Sequence, residues 1–180
     1  MNKSHSVDDV EAFLLLLKEL VREMEWTDRP SLKTPQWLQF ESRLFLGPEI
    51  SDEVKFIAHY RPFANVVKGS AVIEIPEALF VSLLWRDDRI IAIDTCPGQS
   101  HTNVKGSGRP YHGQTISSTT HIHIWTEHGA GYVEPIEPPL MEPEEIIAEF
   151  CARVNLCLNG AFVHPMQGKQ LKLLQWTAQK

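Results

Sequence analysis

Cysteine is scarce in this 180-residue sequence, with Cys96, Cys151 and Cys157 only and no Cys-x-x-Cys spacing. That removes the zinc-ribbon and dithiol signatures and suits a reducing compartment. Long apolar runs are missing too: Phe13 to Leu17 falls far short of the roughly 20 residues that span a bilayer, so no membrane is expected as partner. Positive charge is in deficit. With 17 Lys and Arg against 23 Asp and Glu, the net charge of −6 provides no global field to draw in nucleic acid. Met1 to His5 leads to the acidic pair Asp8-Asp9 rather than to an apolar stretch with a small-residue cleavage site, so the expected location is the cytoplasm. The sequence has no Walker loop, no Gly-x-Gly-x-x-Gly, no Gly-x-Ser-x-Gly and no internal repeat, which excludes the common nucleotide hydrolases and dehydrogenases.

What is present is the composition of an ordinary globular domain, 43% hydrophobic and 22% charged, read as one domain over 1–180. Ser6 and Asp9 form a capping pair for a helix over 7–25, where Val10, Phe13, Leu14, Leu17, Leu20, Val21 and Met24 recur at helical spacing. Leu15 and Leu16 widen that stripe, which makes the helix a candidate surface for a protein partner. Thr27 to Pro35 reads as a connector. A sheet region over 38–133 follows, with strands expected at 38–46, 54–61, 70–75, 79–86 and 89–95, the last two joined by a tight turn at Asp87-Asp88. Glu134 to Pro143 is a proline-rich strap, and a second helix over 143–159 starts on Pro143 with Glu144 and Glu145 in its first turn. Lys169 to Trp176 fits a last strand or a short helix equally well. The expected fold class is therefore α+β: a curved, mainly antiparallel sheet of about six or seven strands with an N-terminal and a C-terminal helix packed on it.

The chemistry concentrates in one stretch. Five of the eight histidines, His101, His112, His121, His123 and His128, fall between positions 101 and 128. His121 and His123 lie in the alternating run Thr119 to Glu127, a strand pattern that puts both rings on one face with Trp125 and Glu127, and Ile122 and Ile124 on the other. Two residues apart on a strand is about 6 to 7 Å, close enough to share one ion or one phosphate. Upstream, Asp94 leaves another apolar strand, and the polar loop from Ser100 to Ser118 carries His101, Thr102, Asn103, Lys105, Arg109 and Tyr111. Arg86 and Arg89 add local positive charge. Cys151 and Cys157 read as buried thiols in a helix, and Cys96 has His101 as a candidate base for a nucleophilic role.

Gly113, His121-x-His123-x3-Glu127 and Gly131 together resemble the first metal motif of the cupin family, which would imply a small β-barrel holding a metal. The spacings around the glycines depart from that pattern and no second motif follows, so the family is not assigned. Tyr111-His112-Gly113 is similar to the nicotinamide-cradling motif of ADP-ribosyl transferases over those residues alone.

Three readings follow. The first is a toxin-like ribonuclease without cofactor. In it His121 and His123 exchange protons at an RNA phosphodiester, His101 assists, Asp94 orients a ring, and Asn103, Lys105, Arg109 and Tyr111 hold the substrate. The second has one divalent metal ion on His121, His123 and His101 or His112, with Asp94 or Glu127 as carboxylate. The third is a non-catalytic acidic protein, such as an inhibitor or immunity partner, in which the histidines merely bond to neighbours on a half-exposed strand.

Overall fold

The computed structural model describes residues 5–30 and 35–168. Its first helix, α1 (Val7–Leu15), begins as expected: the Ser6 hydroxyl accepts the Asp9 N–H at 3.1 Å and the Asp9 carboxylate accepts the Ser6 N–H at 3.2 Å. It ends ten residues short of Glu25, and Lys18 supplies the reason. This lysine is fully buried, and its Nζ donates to the carbonyls of Phe13 and Leu16 at 2.7 Å, Val154 at 3.0 Å and Leu14 at 3.2 Å. Those carbonyls include the ones a continuing helix would have used. Burial pulls the ammonium down to about 8, and the C-terminal end of α1 faces it with the negative end of the helix dipole. Leu15, Leu16 and Leu17 are consequently exposed rather than part of a helical stripe.

The chain continues as β1 (Lys18–Leu20), β2 (Thr27–Asp28), β3 (Leu38–Leu46), β4 (Glu49–Arg61), β5 (Ala64–Lys68), β6 (Ala71–Ile75), β7 (Ala78–Trp85), β8 (Asp88–Thr95), β9 (His101–Thr102), β10 (Thr115–Ile116), β11 (Thr120–Thr126), β12 (Gly129–Pro135), α2 (Pro143–Val154) and β13 (Leu156–Cys157). The main sheet runs β12-β11-β8-β7-β4-β3-β1-β13, with β2 paired to β3; β5 with β6 and β9 with β10 make two separate ribbons. The class is the expected one, a curled and mostly antiparallel sheet with one helix from each end of the chain, and the strand count is higher than expected. β1 and β13 account for much of the excess, pairing in parallel where the sequence reads as helix.

Three boundaries differ for local reasons. The turn between β7 and β8 is Arg86-Asp87, one residue earlier than expected, with both residues at positive φ (52° and 65°) as a two-residue hairpin requires. The strap begins after Pro135, because Glu134 and Pro135 still pair with Ile122 and His121 at the end of edge strand β12, a position that tolerates proline. The second helix stops at Val154, since Asn155 turns left-handed (φ 51°) and Leu156 and Cys157 leave to join β1. Cys157 is thereby exposed and Cys151 half-buried, its thiol pushed up to about 12 by burial. The tail from Lys169 lies outside the described residues.

Both helices press on one face of the sheet. Val10 and Phe13 of α1 and Ile146, Ile147, Phe150 and Val154 of α2 share a core with Phe40, Phe56, Val81, Ile93 and Ile122. The opposite face carries a row in register across six strands: Gln39, His59, Phe80, Asp94, His121 and Pro135. The candidate site lies on that second face.

Candidate functional site

β11 lies between β8 and β12, so its residues are paired on both sides. His121 stands opposite Asp94 and His123 opposite Ala92, and the two imidazole centroids are 5.1 Å apart. Two irregularities shape the face. On β8, Leu83 pairs with Ile91 and Leu84 with Arg89, so Ile90 is an extra residue. Without this bulge Arg89 would point to the core with Ile91 and Ile93; with it the guanidinium joins the histidine face. On β11 the register against β12 shifts between Ile124 and Thr126. There β12 carries one residue more than β11, and Trp125 beside it leaves the histidine face, contrary to simple alternation, and packs in the core with its indole N–H on the His5 carbonyl at 3.3 Å.

Asp94, His121 and His123 form a compact triad. Each is buried, and each offers a ligand atom within 4.8 Å of the others. Asp94 Oδ1, His121 Nδ1 and His123 Nε2 are buried without a hydrogen-bond partner. His123 Nε2 is 2.9 Å from Asp94 Oδ2, but their alignment does not make a hydrogen bond. Arg89 completes the group, with Nη2 3.3 Å from His123 Nδ1 and Nη1 3.7 Å from Asp94 Oδ2. Burial above all, then the neighbouring His123, hold the His121 pKa below the usual imidazole value, against the opposing pull of Asp94. A neutral imidazole is the form that ligates a metal or accepts a proton.

His101 joins the site from the loop. Its ring centroid lies 5.5 Å from that of His123 and 6.5 Å from that of His121, and its Nε2 is 3.1 Å from the Gly131 carbonyl. The loop that carries it is clamped to β12. Asn103 is fully buried, donating from Nδ2 to the carbonyls of Val133 at 2.8 Å and Tyr111 at 3.1 Å and accepting the Val133 N–H at 2.8 Å. Lys105 donates to the Ala130 carbonyl at 2.6 Å, the Arg109 guanidinium lies 5.5 Å over the Tyr132 ring, and the Tyr111 N–H reaches the Tyr132 hydroxyl at 3.3 Å. Gly106 sits so tightly on Tyr132 that a Cβ there would be 2.5 Å from the ring. The loop thus covers the open edge of β12.

This placement revises the roles of several residues. Asp94, His121, His123 and His101 come together as expected. Asn103 and Lys105 spend polar atoms on β12 backbone, and Arg109 lies on Tyr132, so they form the wall of the site. Tyr111 is half-buried and lines a cleft of about 620 Å³ between the loop and the strap, away from the triad. His112, Glu127 and His128 are exposed, and none belongs to the triad. The buried Cys96 thiol has the Arg61 guanidinium at 3.8 Å as its polar contact. Of the local cations, Arg86 pairs with Glu53 and Arg89 alone contacts the triad. Arg89 was visible in the sequence only as one charge near a hairpin, because a bulge has no clear signature there.

Comparisons with the profiles of protein families, with curated proteins and with solved structures find no match.

Proposed function

We propose that Asp94, His121 and His123 hold one divalent transition-metal ion. One observation carries this reading: three buried side chains, each with a polar atom that lacks a partner, bring one ligand atom apiece within 4.8 Å of one another. Two imidazoles and a carboxylate are a donor set suited to zinc or iron(II), and three protein ligands leave coordination positions open. Bound there, the ion supplies Lewis-acid chemistry toward a water or a substrate oxygen. The chain does the rest. Asp94 contributes the charge that offsets the ion, His121 is kept neutral by burial, and the clamped loop with His101 limits water. Zinc uptake after dialysis tests the reading: wild type should retain a single equivalent, and the His121→Ala, His123→Ala double variant none. Wild type without stoichiometric zinc refutes it.

A second reading rests on the contact of Arg89 with His123. A guanidinium only donates, so in a neutral ring Nδ1 accepts and the proton sits on Nε2, 2.9 Å from Asp94 Oδ2 though not aligned to bond it. A ring held this way suits metal-free acid-base chemistry at a phosphodiester. The burial of both imidazoles, 7% exposed each, weighs against a polymer substrate such as RNA. Cleavage of mixed-sequence RNA in excess EDTA, lost in the double variant, would favour the second reading over the first.

A further inference from the structure

Resting on the metal reading, we infer that the site takes a small oxyanion, a carboxylate or phosphate group, and that Arg89 recognises it. The first ground is charge. Asp94 is the carboxylate of the triad, and Arg89 already lies 3.7 Å from it. Adding a dication leaves a strong positive excess in a place nearly closed to water, which an anionic ligand offsets.

The second ground is the unused donors of Arg89. Its planar fork has five N–H groups, and among the described residues it makes one hydrogen bond, the 3.3 Å contact to His123 Nδ1. The other cations near the loop are committed, Lys105 to the Ala130 carbonyl and Arg109 to the Tyr132 ring. Arg89 also loses its partner when the site is filled. A cation on Nε2 of His123 moves the neutral ring's proton to Nδ1, and two donors cannot bond to each other. The fork would then be released beside the triad, and its planar pair of donors is of the kind that pairs with a carboxylate or phosphate. Its side chain is 40% exposed against 9% and 11% for His123 and Asp94, so it is the most accessible of the three to an incoming anion.

Cobalt(II) in place of the native ion gives a visible spectrum that reports both steps. The full chain and its Arg89→Gln and Arg89→Lys variants are loaded with cobalt, then titrated with inorganic phosphate and, separately, with acetate. Cobalt should bind all three, Arg89→Gln at least as tightly as wild type because a nearby positive charge is gone. One or both anions should perturb the wild-type spectrum, and whichever does should need at least tenfold more in Arg89→Gln, with Arg89→Lys in between because it keeps charge but not the fork. Equal anion affinity in wild type and Arg89→Gln, or no response to either anion, overturns the role of Arg89 and leaves the metal reading standing. Failure of wild type to take up cobalt overturns both, and it shows at the first step.

Discussion

Replacing Asn103 by alanine separates a wall residue from a substrate contact. The carboxamide makes three hydrogen bonds to buried backbone, two of them to the N–H and C=O of Val133. Alanine leaves the N–H and C=O of Val133 without the amide and the Tyr111 carbonyl with the Gln114 N–H alone, and water cannot readily replace the amide at a residue with 0% exposure. At about 1 kcal/mol for each lost bond, the cost is about 3 kcal/mol, and more if the orphaned groups stay dry. For a domain of this size, 1 kcal/mol is about 2 to 4 °C, so the melting temperature should fall by about 6 to 12 °C. Thermal unfolding followed by circular dichroism measures it, and amide exchange at Val133 should accelerate by orders of magnitude. A melting temperature within about 2 °C of wild type with unchanged Val133 protection would refute the clamp and return Asn103 to the role of a ligand contact.

Three further outcomes follow from the same geometry. Zinc at about 100 times its dissociation constant should stabilise wild type by about 2.7 kcal/mol in thermal unfolding, and the His121→Ala variant should show no such shift. Because burial holds the His121 pKa below the ordinary imidazole value of 6.5, this ring is neutral at pH 7 and proton competition for it begins only at lower pH. The ring protons of His121, followed by NMR in the metal-free protein, should therefore stay level from pH 7.5 to near 6.5, and a titration midpoint inside that interval would contradict its neutrality. Lys18→Met removes the cation that four carbonyls share and should cost about 3 kcal/mol in denaturant unfolding; a loss under about 1 kcal/mol would show that those carbonyls find other donors.

The sequence carried the fold class because strand alternation, the Ser6–Asp9 cap and Pro143 at the start of the second helix are local signals. Residues 38–46 and the pairing of two histidines on one strand face were readable from period alone. Helix ends were not. Lys18 looks like an ordinary polar-face residue at helical spacing, and only its carbonyl cage, which includes Val154 from the far end of the chain, shows why the helix stops. The site was legible in its histidines and in Asp94 because those residue types are rare on a half-buried face. Arg89 joins the site through one extra residue in its own strand, and Trp125, expected on the histidine face, turns to the core beside an irregularity in the pairing of β11 with β12; neither event has a local signature. Asn103, Lys105 and Tyr111 look like substrate contacts in a polar loop, and their hydrogen bonds to β12 rest on a strand edge that no local pattern reveals.

That edge also explains why the triad is worth its cost to stability. A sheet with helices on one face leaves the other to water, where histidines and an aspartate would normally hydrate freely. Here the loop, clamped by Asn103 to Val133 and carrying His101 over the imidazoles, takes the triad out of water without giving its polar atoms new partners. Each unpaired buried atom costs about 1 to 3 kcal/mol, so three together amount to a sizeable part of the 5 to 15 kcal/mol that holds a domain folded. Apolar residues at positions 94, 121 and 123 would pack on such a face without that penalty. A ligand that engages all three atoms at once offsets it, and a cation with lone-pair acceptors on every side is the simplest such ligand. On this argument the Asp94→Leu, His121→Leu, His123→Leu triple variant should unfold at a higher temperature than metal-free wild type. A triple variant less stable than the metal-free protein would mean that the three atoms are already satisfied, and would remove the main ground for a bound ion.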